Sequence, residues 1–400
     1  MKRRVVITGV GAITPIGIGK DEFWNNLVAG KSGVGPITQF DASEYGTRIA
    51  GEVKDFDFSK YGDKKEGKRM DRVTQFAVAA AKMAVEDAKL DIESIDPVRA
   101  GVCVGSGIGG MHTYLEQTLK FVEKGPSKIS PFFIPMEIPN MPAGQISIAL
   151  GFKGPNMAIV TACATGTHCV GEAFRIIQYG DADIMMAGGS EAAINPLAVA
   201  GFGNMKALST NNEHPEKASC PFDKKRDGFV MGEGAGVLVL EELEHALKRG
   251  AHIYAEVAGY GMTADAYHIT APDPSGEMPA VCMELALVAT GFPYDINQRV
   301  ETILRRLKPI LAAAQGVRRC GAASLDLVWT ACGRFDAYYE DGLKPWDSAA
   351  GALILKEAGG QITDMHGKPY TLLSSVLASN SLLHDSLLHY LLKALSEETR

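Results

Sequence analysis

The 400-residue sequence lacks the features that mark nucleic-acid-binding and membrane proteins. Basic residues are not in excess, since 40 Lys and Arg against 47 Asp and Glu leave a formal net charge of −7. A nucleic-acid-binding protein is usually basic. No apolar run approaches the roughly 18 residues of a membrane span. Lys2–Arg4 precedes only Val5–Ile7, too short a core for a signal peptide. These absences predict no nucleic-acid partner and no membrane.

Cysteine is also sparse. The seven cysteines are odd in number and never form C-x-x-C, which argues against a disulfide framework and a structural zinc site. Because such cysteine usage is typical of a reducing compartment, we expect a cytoplasmic location. Hydrophobic residues make up 46% and charged residues 22% of the chain. This composition is typical of a globular protein, and the length predicts two or three domains.

The stretch around Cys163 predicts a sharp corner between a strand and a helix. Residues 157–161 are mostly apolar and predict a strand, and a helical run follows over residues 166–179 and ends at Gly180. Cys163 would then lie beside a helix N-terminus, whose partial positive charge favours a thiolate. Two interpretations remain open at this point: a nucleophile, or a buried cysteine that fills a tight turn.

Elsewhere the sequence alternates predicted strands and helices, which favours an α/β fold with layered sheets. The first strand is predicted over residues 4–8, with a turn at Gly9–Ala12, and a helix is predicted from Asp21 to near Gly30. Residues 105–110 match G-x-G-x-x-G after a predicted strand, the fingerprint of a dinucleotide site. The acidic residue expected about 20 positions later has no convincing candidate, which disfavours that site.

Residues 64–72 contain five basic side chains just before a predicted Ala-rich helix over residues 72–90. By itself this cluster is interpreted as the solvated start of a helix.

Six stretches of the sequence are informative together: Val5-Val6-Ile7-Thr8-Gly9, Ser130-Pro131-Phe132-Phe133, Thr161-Ala162-Cys163, Phe202-Gly203, Arg226-Asp227-Gly228-Phe229 and Asp265-Ala266-Tyr267-His268. Together they resemble the β-ketoacyl-acyl-carrier-protein synthases of fatty-acid synthesis, type II subgroup. The resemblance covers about residues 1–285. It implies a thiolase-like fold, which is a layered α/β sandwich, and a homodimer that pairs across residues 130–145.

The resemblance also assigns roles to individual residues. Cys163 is implied to be the nucleophile that accepts an acyl chain from acyl-carrier protein. The residues implied to bind substrate are Ile108 and Phe202 in the acyl pocket and Thr270 in the phosphopantetheine channel. Lys65, Lys68 and Arg69 match positions that dock the acidic carrier protein. The resemblance therefore favours a docking role for the basic cluster over the interpretation as a solvated helix start. No cofactor is implied.

The family's reaction has two steps, and the sequence carries residues for only one. A thiolate first attacks a thioester, and the acyl-cysteine then condenses with malonyl-carrier protein after loss of carbon dioxide. The second step needs hydrogen-bond donors, which the family takes from two histidines and a lysine of its C-terminal half. The Asn-Ala-His-Gly-Thr and Asn-x-Phe-Gly-Phe-Gly-Gly motifs of that half are absent here. The resemblance therefore implies acylation on Cys163 with impaired condensation.

The last part of the chain contains four further informative stretches: Gly342–Gly351, Glu357–Gly360, Gly321–Ser324 and Tyr338–Glu340. They resemble a different family, the inositol monophosphatases, and this resemblance covers about residues 287–395. The resemblance implies an α/β piece in which Asp347 binds magnesium. Glu340 and the loop 321–323 would contact a sugar phosphate. The family's Asp-Pro-x-Asp-Gly-Thr motif and its upstream glutamate are absent, and a helix cap is the alternative role of Asp347.

The sequence thus predicts two parts, residues 1–286 and 287–400, joined without a Gly/Ser-rich or Pro-rich linker. A gene-level join, an assembly error and a generated sequence would each produce such a junction. Three functional hypotheses follow. The first is a condensing enzyme with an incomplete site, the second a magnesium-dependent sugar phosphatase, and the third a non-catalytic chimera that binds acyl chains or carrier protein.

Overall fold

The computed structural model describes residues 3–257, 259–279, 281–282, 322–332, 335, 337–379, 381 and 384–396. The chain divides into two compact units, Met1–Val257 and Ala258–Arg400. The junction predicted at residues 286 and 287 lies outside the described residues and stays a prediction.

The first unit contains nine strands and nine α-helices among its described residues. The strands are β1 Val5–Thr14, β2 Gly17–Ile18, β3 Val34–Pro36, β4 Ile49–Gly51, β5 Ala100–Gly105, β6 Asn156–Met157, β7 Ile184–Glu191, β8 Gly234–Glu242 and β9 Ala255–Glu256. The helices are α1 Lys20–Val28, α2 Lys64–Gly67, α3 Arg72–Asp87, α4 Met111–Lys124, α5 Phe133–Glu137, α6 Met141–Leu150, α7 Thr165–Tyr179, α8 Pro196–Asn204 and α9 Leu243–Lys248.

Seven strands form the main sheet, in the order β2-β1-β8-β7-β5-β6, and β9 pairs with β1. Strands β5, β6 and β7 are parallel to one another, whereas β8 runs antiparallel to both β1 and β7. The carboxyl ends of the three parallel strands therefore meet at one edge of the sheet. Ligand and active sites of open α/β sheets are found at this kind of edge.

Helices cover both faces of this sheet. On β5, Val102 and Val104 pack in one apolar cluster with the buried faces of α3 and α6. The alternate residue Cys103 interacts with Cys169 of α7 instead. Since successive side chains of a strand point to opposite faces, α3 and α6 lie on one side and α7 on the other. The first unit is a layered α/β sandwich.

The turn predicted at Gly9–Ala12 is wrong, because β1 continues to Thr14. The glycines serve packing: a Cβ atom at Gly9 would overlap the Ala84 carbonyl, and one at Gly11 the Ala80 carbonyl. Both carbonyls belong to α3, whose contact face is built of fully buried alanines. Strand and helix therefore approach closely only because each carries minimal side chains along the contact.

Several other element boundaries follow the sequence prediction. Helices α1, α3 and α7 lie where the sequence predicted helices, and α7 ends at Gly180 with φ +91°. In contrast, the strand predicted over residues 157–161 contributes only Asn156–Met157. Strand β7 extends to Glu191.

Two carboxylates of the first unit, half-buried Asp183 and buried Glu241, form ion pairs with nearby arginines. Asp183 accepts hydrogen bonds from Arg99 and Arg3, and Arg99 above all lowers the pKa of Asp183 to about 2. Burial raises the pKa of Glu241, but hydrogen bonds from Arg249, His245 and Thr8 outweigh it and leave that pKa below its usual value. Both carboxylates are therefore charged structural links.

The described residues of the second unit include three strands, β10 Ala337–Glu340, β11 Gln361–Thr363 and β12 Val376–Ser379, in the antiparallel order β10-β12-β11. Its described helices are α10 Ala323–Ala331, α11 Pro345–Glu357 and α12 His384–Ser396. Val376 and Ala378 pack with α10 and α11, whereas Leu377 packs with Leu391 of α12. Within the described parts of both units, no helix has the length and apolarity to cross a membrane.

Candidate functional site

Cys163 lies in a short 3₁₀ turn, Ala162–Ala164, immediately before α7. Its side chain is exposed, so the interpretation as a buried turn cysteine is wrong. Helix α7 has no side-chain N-cap, which leaves the positive end of its dipole uncompensated beside the thiol. The turn follows β6 and so belongs to the edge where the parallel strands end. An exposed sulfur at this place is accessible to a ligand.

The backbone of the corner is held in an unusual conformation. Ala162 has φ +50°, a left-handed conformation that costs an L-residue about 1–2 kcal/mol. Hydrogen bonds maintain it: the Thr161 N–H donates to Thr165 Oγ1 at 2.9 Å, and the Ala164 N–H donates to the Thr161 carbonyl at 3.1 Å. Thr161 Oγ1 also lies 2.8 Å from His168 Nδ1. These contacts fix the direction in which the Cys163 side chain projects from the backbone.

The glycine motif at residues 105–110 supports this corner. Glu191, at the end of β7, accepts hydrogen bonds from Ser106 Oγ and from the Gly107 N–H, both at 2.9 Å. Ser106 Oγ in turn accepts the Gly109 N–H at 2.8 Å. A Cβ atom at Gly107 would lie 3.2 Å from the Ala162 Cα atom. A protein carboxylate therefore occupies the position where a dinucleotide phosphate would bind in a fingerprint loop.

Glu191 is a site residue that sequence reasoning missed. Burial raises its pKa, and the hydrogen bonds from Ser106 and Gly107 oppose that rise. The available signal was an acidic residue after Gly188-Gly189-Ser190, which follow the apolar run of residues 184–187. A buried carboxylate needs hydrogen-bond donors in the folded protein, and the backbone N–H groups of a neighbouring glycine loop can provide them.

The residues predicted for the acyl pocket lie in the loop after β5 and on α8. Ile108 follows Gly107 and is 37% exposed, so it lies beside the Cys163 corner. Phe202 of α8 packs against a separate apolar cluster that includes Ile194, and its ring meets Phe229 edge-on at 5.5 Å. Thr270 is exposed in the second unit, where its N–H donates to His268 Nδ1 at 3.1 Å. The predicted roles of these residues stay predictions.

Four cations of the basic cluster form an exposed surface, here called the basic patch: Lys64, Lys65, Lys68 and Arg69. Asp63 caps α2 by accepting the N–H groups of Lys65 and Glu66, which fixes this short helix. The Arg69 guanidinium stacks over the Phe132 ring at 4.8 Å. The patch therefore has a fixed backbone and an aromatic neighbour.

Arg72, the fifth basic residue of the cluster, has a different environment. Its guanidinium donates to the buried carboxylate of Glu233 at 2.7 and 3.0 Å and to the Val53 carbonyl at 2.8 Å. Because a buried carboxylate needs a charged partner, Arg72 is a structural residue of the first unit. The sequence cluster thus divides into four surface cations and one internal ion pair.

The second unit does not assemble the predicted metal site from its described residues. Asp347 accepts the Lys344 N–H at 2.9 Å and so caps the start of α11. Glu340 accepts a hydrogen bond from the Tyr338 hydroxyl. Among the described residues of the chain, no group of three or more His, Cys, Asp or Glu could hold a metal ion. A magnesium centre needs several oxygen ligands, and these residues do not fit one. Gly321 of the predicted substrate loop lies outside the described residues.

Family comparisons agree with this division of the chain. A family model described as "Beta-ketoacyl synthase, N-terminal domain" matches residues 2–246. A second, "Inositol monophosphatase family", matches residues 251–400. The 3-oxoacyl-[acyl-carrier-protein] synthase 2 of Staphylococcus aureus (strain COL) is 54% identical over 296 residues, 74% of this chain and 71% of that protein. A protein of the same name from Synechocystis sp. is also 54% identical, over 295 residues.

Solved structures show the same likeness. A β-ketoacyl synthase from Burkholderia phymatum is 38% identical with a TM-score of 0.66, and the match covers 72% of this chain and 70% of that one. A type II PKS acyl-carrier protein in complex with its ketosynthase bound to the hexaketide gives 36% identity and a TM-score of 0.65 at the same coverage. The predicted resemblances and the α/β fold with its thiolase-like first part are confirmed.

Proposed function

The chain belongs to the β-ketoacyl synthase family, and we propose that its first unit accepts an acyl group from acyl-carrier protein onto Cys163. The observation that carries the proposal is the exposed thiol on a strained corner, beside an uncapped helix N-terminus at the carboxyl edge of the parallel strands. The relatives' name and the carrier complex of a structural neighbour support the substrate class.

In the proposed step the Cys163 thiolate attacks the carbonyl carbon of the carrier's acyl thioester. A new bond forms between Cys163 Sγ and the acyl carbon, and the bond from that carbon to the carrier's sulfur breaks. The carrier leaves as a thiol, which takes up the proton that Cys163 loses. This balance needs no metal and no redox cofactor. The Ala162 conformation and the Glu191-braced glycine loop keep the thiol oriented during attack.

The carrier protein is proposed to dock on the basic patch. Three exposed lysines and Arg69 offer a concentrated positive surface on a chain whose net charge is −7. Complementary charges on two proteins increase their association rate and fix their relative orientation more than they increase affinity. Because exposed charges are screened by salt, docking is expected to weaken as ionic strength rises.

Condensation with malonyl-carrier protein is proposed to be severely impaired. The family's second step uses two histidines and a lysine from motifs that this sequence lacks. Without donors for the developing enolate and oxyanion, the barrier to carbon–carbon bond formation stays high, since one such donor is worth roughly a hundredfold or more in rate. The expected product is a stable acyl-enzyme.

A homodimer through residues 130–145 is also proposed. This region exposes Phe132 (38%) and Ile134 (57%), and β6 forms one end of the sheet order with Met157 40% exposed. Apolar side chains beside a sheet edge are typical of a contact surface. Light scattering on the full chain and on an Ile134→Asp variant tests this: a dimer that the substitution dissociates supports the proposal, and a monomeric wild-type chain contradicts it.

Intact-mass spectrometry after incubation with acyl-carrier protein tests the main proposal. The expected result is a mass increase of one acyl group that is lost in Cys163→Ala. Cys332→Ser is the matched control, because Cys332 is the other exposed cysteine among the described residues. Retention of the label by Cys163→Ala, or no label on the wild-type chain, would falsify the proposal.

A further inference from the structure

Thr161 is hydrogen-bonded to α7 and its preceding turn through its N–H, its carbonyl and its hydroxyl. The N–H donates to Thr165 Oγ1 at 2.9 Å, and the carbonyl accepts the Ala164 N–H at 3.1 Å. The hydroxyl oxygen Oγ1 lies 2.8 Å from Nδ1 of His168, in the first turn of α7. Thr161 has φ −135° and ψ 42°, outside the helix and strand conformations. Its position is therefore defined by these three hydrogen bonds rather than by regular secondary structure.

The next two residues, Ala162 and Cys163, lie inside the turn that Thr161 and Ala164 close. Ala162 takes φ +50° there. An L-residue keeps this left-handed conformation only where its surroundings impose it. A rotation of Thr161 would change the path of the backbone into Ala162 and with it the direction of the next side chain. The position of Thr161 therefore determines where the thiol points.

Among these three partners of Thr161, His168 is the one that a substitution can remove with least disturbance of the fold. Thr165 is buried, and Ala164 contributes a backbone N–H. His168 is half-buried, and Thr161 is exposed. A hydrogen bond at such a surface position adds little to the stability of a fold, because water replaces it when it breaks. A role in the fold and a role in orienting the thiol are therefore separable by experiment.

We propose that His168 is a positioning residue for acyl transfer, which through Thr161 directs the Cys163 sulfur towards the carbonyl carbon of the carrier's thioester. This inference rests on the proposed function and deepens it. Either tautomer of the imidazole serves, because the Thr161 hydroxyl both donates and accepts. Attack requires the reacting atoms to be aligned, so a lost alignment lowers the rate of acyl transfer and leaves carrier binding unchanged.

Intact-mass time courses over a range of carrier concentrations measure the maximal acylation rate and the half-saturating carrier concentration separately. His168→Ala is expected to lower the maximal rate about fivefold, the worth of one hydrogen bond, with the half-saturating concentration unchanged. His168→Asn is expected to restore most of the rate, because its amide atoms, like Nδ1 of histidine, are bonded to Cγ. His214→Ala is the control at an exposed histidine of the first unit outside the corner.

A double-mutant cycle assigns the effect to the contact between the two side chains. Thr161→Val is expected to lose as much rate as His168→Ala, and the double variant is expected to be no slower than either single variant. Thr161→Ser keeps the hydroxyl and should keep the rate. Alkylation of Cys163 by iodoacetamide, measured on its peptide, should be unchanged in every variant, because a small reagent reaches an exposed thiol from many directions. Thermal unfolding checks that all variants fold.

Three results overturn the positioning role while leaving the proposed function intact. They are acylation of His168→Ala at the wild-type rate, additive losses in the double variant, and an equal fall in the rates of acylation and alkylation. The last result would mean that His168 acts on the reactivity of the thiol rather than on its direction. A wild-type chain that takes up no acyl group contradicts the proposed function itself, and the positioning role with it.

Discussion

Helices α7 and α11 each begin beside a residue that could carry chemistry, Cys163 in the first unit and Asp347 in the second. The Asp347 carboxylate bonds the Lys344 N–H of its own helix start, so the helix itself uses the functional group. Cys163 makes no cap: α7 starts without one, the thiol is exposed, and β5 and β7 supply the glycine loop and Glu191 behind it. A helix N-terminus becomes a candidate site where its reactive atom stays outside the capping network and other elements hold it in place.

Removing the support behind the first corner is expected to give the largest effect. Gly107→Val places a branched side chain against Ala162, whose Cα atom would lie 3.2 Å from the added Cβ atom. A displacement of the reacting group by about 1 Å costs roughly a hundredfold in rate. Initial acylation rates from intact-mass time courses measure the loss. Gly35→Val, at a glycine with open space around it, is the control and should acylate normally.

Reversal of charge on the basic patch is expected to have a smaller effect. Lys65→Glu with Lys68→Glu should weaken carrier binding about tenfold at low salt and flatten its dependence on ionic strength. Isothermal titration at two salt concentrations measures both. Lys31→Glu with Lys248→Glu changes the net charge equally at exposed positions elsewhere. Equal weakening by both pairs would mean that net charge, rather than the patch, drives association.

At the second helix start, Asp347→Ala should destabilise the second unit by about 1 kcal/mol, the usual value of a cap. Magnesium should leave the unfolding temperature of the wild-type chain unchanged. Thermal unfolding with and without magnesium measures both. Glu357→Ala, an exposed carboxylate at the other end of α11, should be neutral. If magnesium raises the unfolding temperature and Asp347→Ala removes this increase, Asp347 binds magnesium after all.

The smallest effect is expected from His384, a buried histidine between Thr363 Oγ1 and Ser379 Oγ. Burial lowers its pKa below the usual 6.5, so the folded state keeps the ring neutral at a pH where the unfolded chain binds a proton. Stability of the second unit should therefore fall as pH decreases from 6.5 towards the folded pKa. Denaturant unfolding across this range measures the slope, which His384→Gln should reduce. A slope that is unchanged in this variant would assign the dependence to other groups.

The sequence predicted the elements whose signals are local. Helix α7 ends at Gly180 because glycine adopts the left-handed conformation without strain, and the apolar period of α3 marks its buried face. The same residue type misled the prediction at β1, where Gly9 and Gly11 serve contact with a helix some 70 residues later along the chain. Local sequence does not distinguish a glycine needed for a turn from one needed for close packing.

The candidate site shows the same limit. The family resemblance identified Cys163 and the basic positions, but it did not separate Arg72, whose partner Glu233 lies far away in sequence. Glu191 could not be recognised as a site residue for the same reason, since its hydrogen-bond donors come from the loop after β5. Asp347 had two interpretations that differ only in which atoms surround the carboxylate. Partners distant in the chain decide the roles of Arg72 and Glu191.

One hydrogen bond in the first unit connects two surfaces that were described separately. Ser190 Oγ donates to the Val73 carbonyl at 2.7 Å, in the first turn of α3 and four residues beyond Arg69 of the basic patch. Ser190 precedes Glu191, which holds the loop against Ala162. The path from patch to thiol thus runs through the first turn of α3, Ser190, Glu191 and the glycine loop at Gly107. If the carrier protein docks on the basic patch as we propose, the distance from the patch to Cys163 sets the shortest prosthetic arm that can deliver an acyl group.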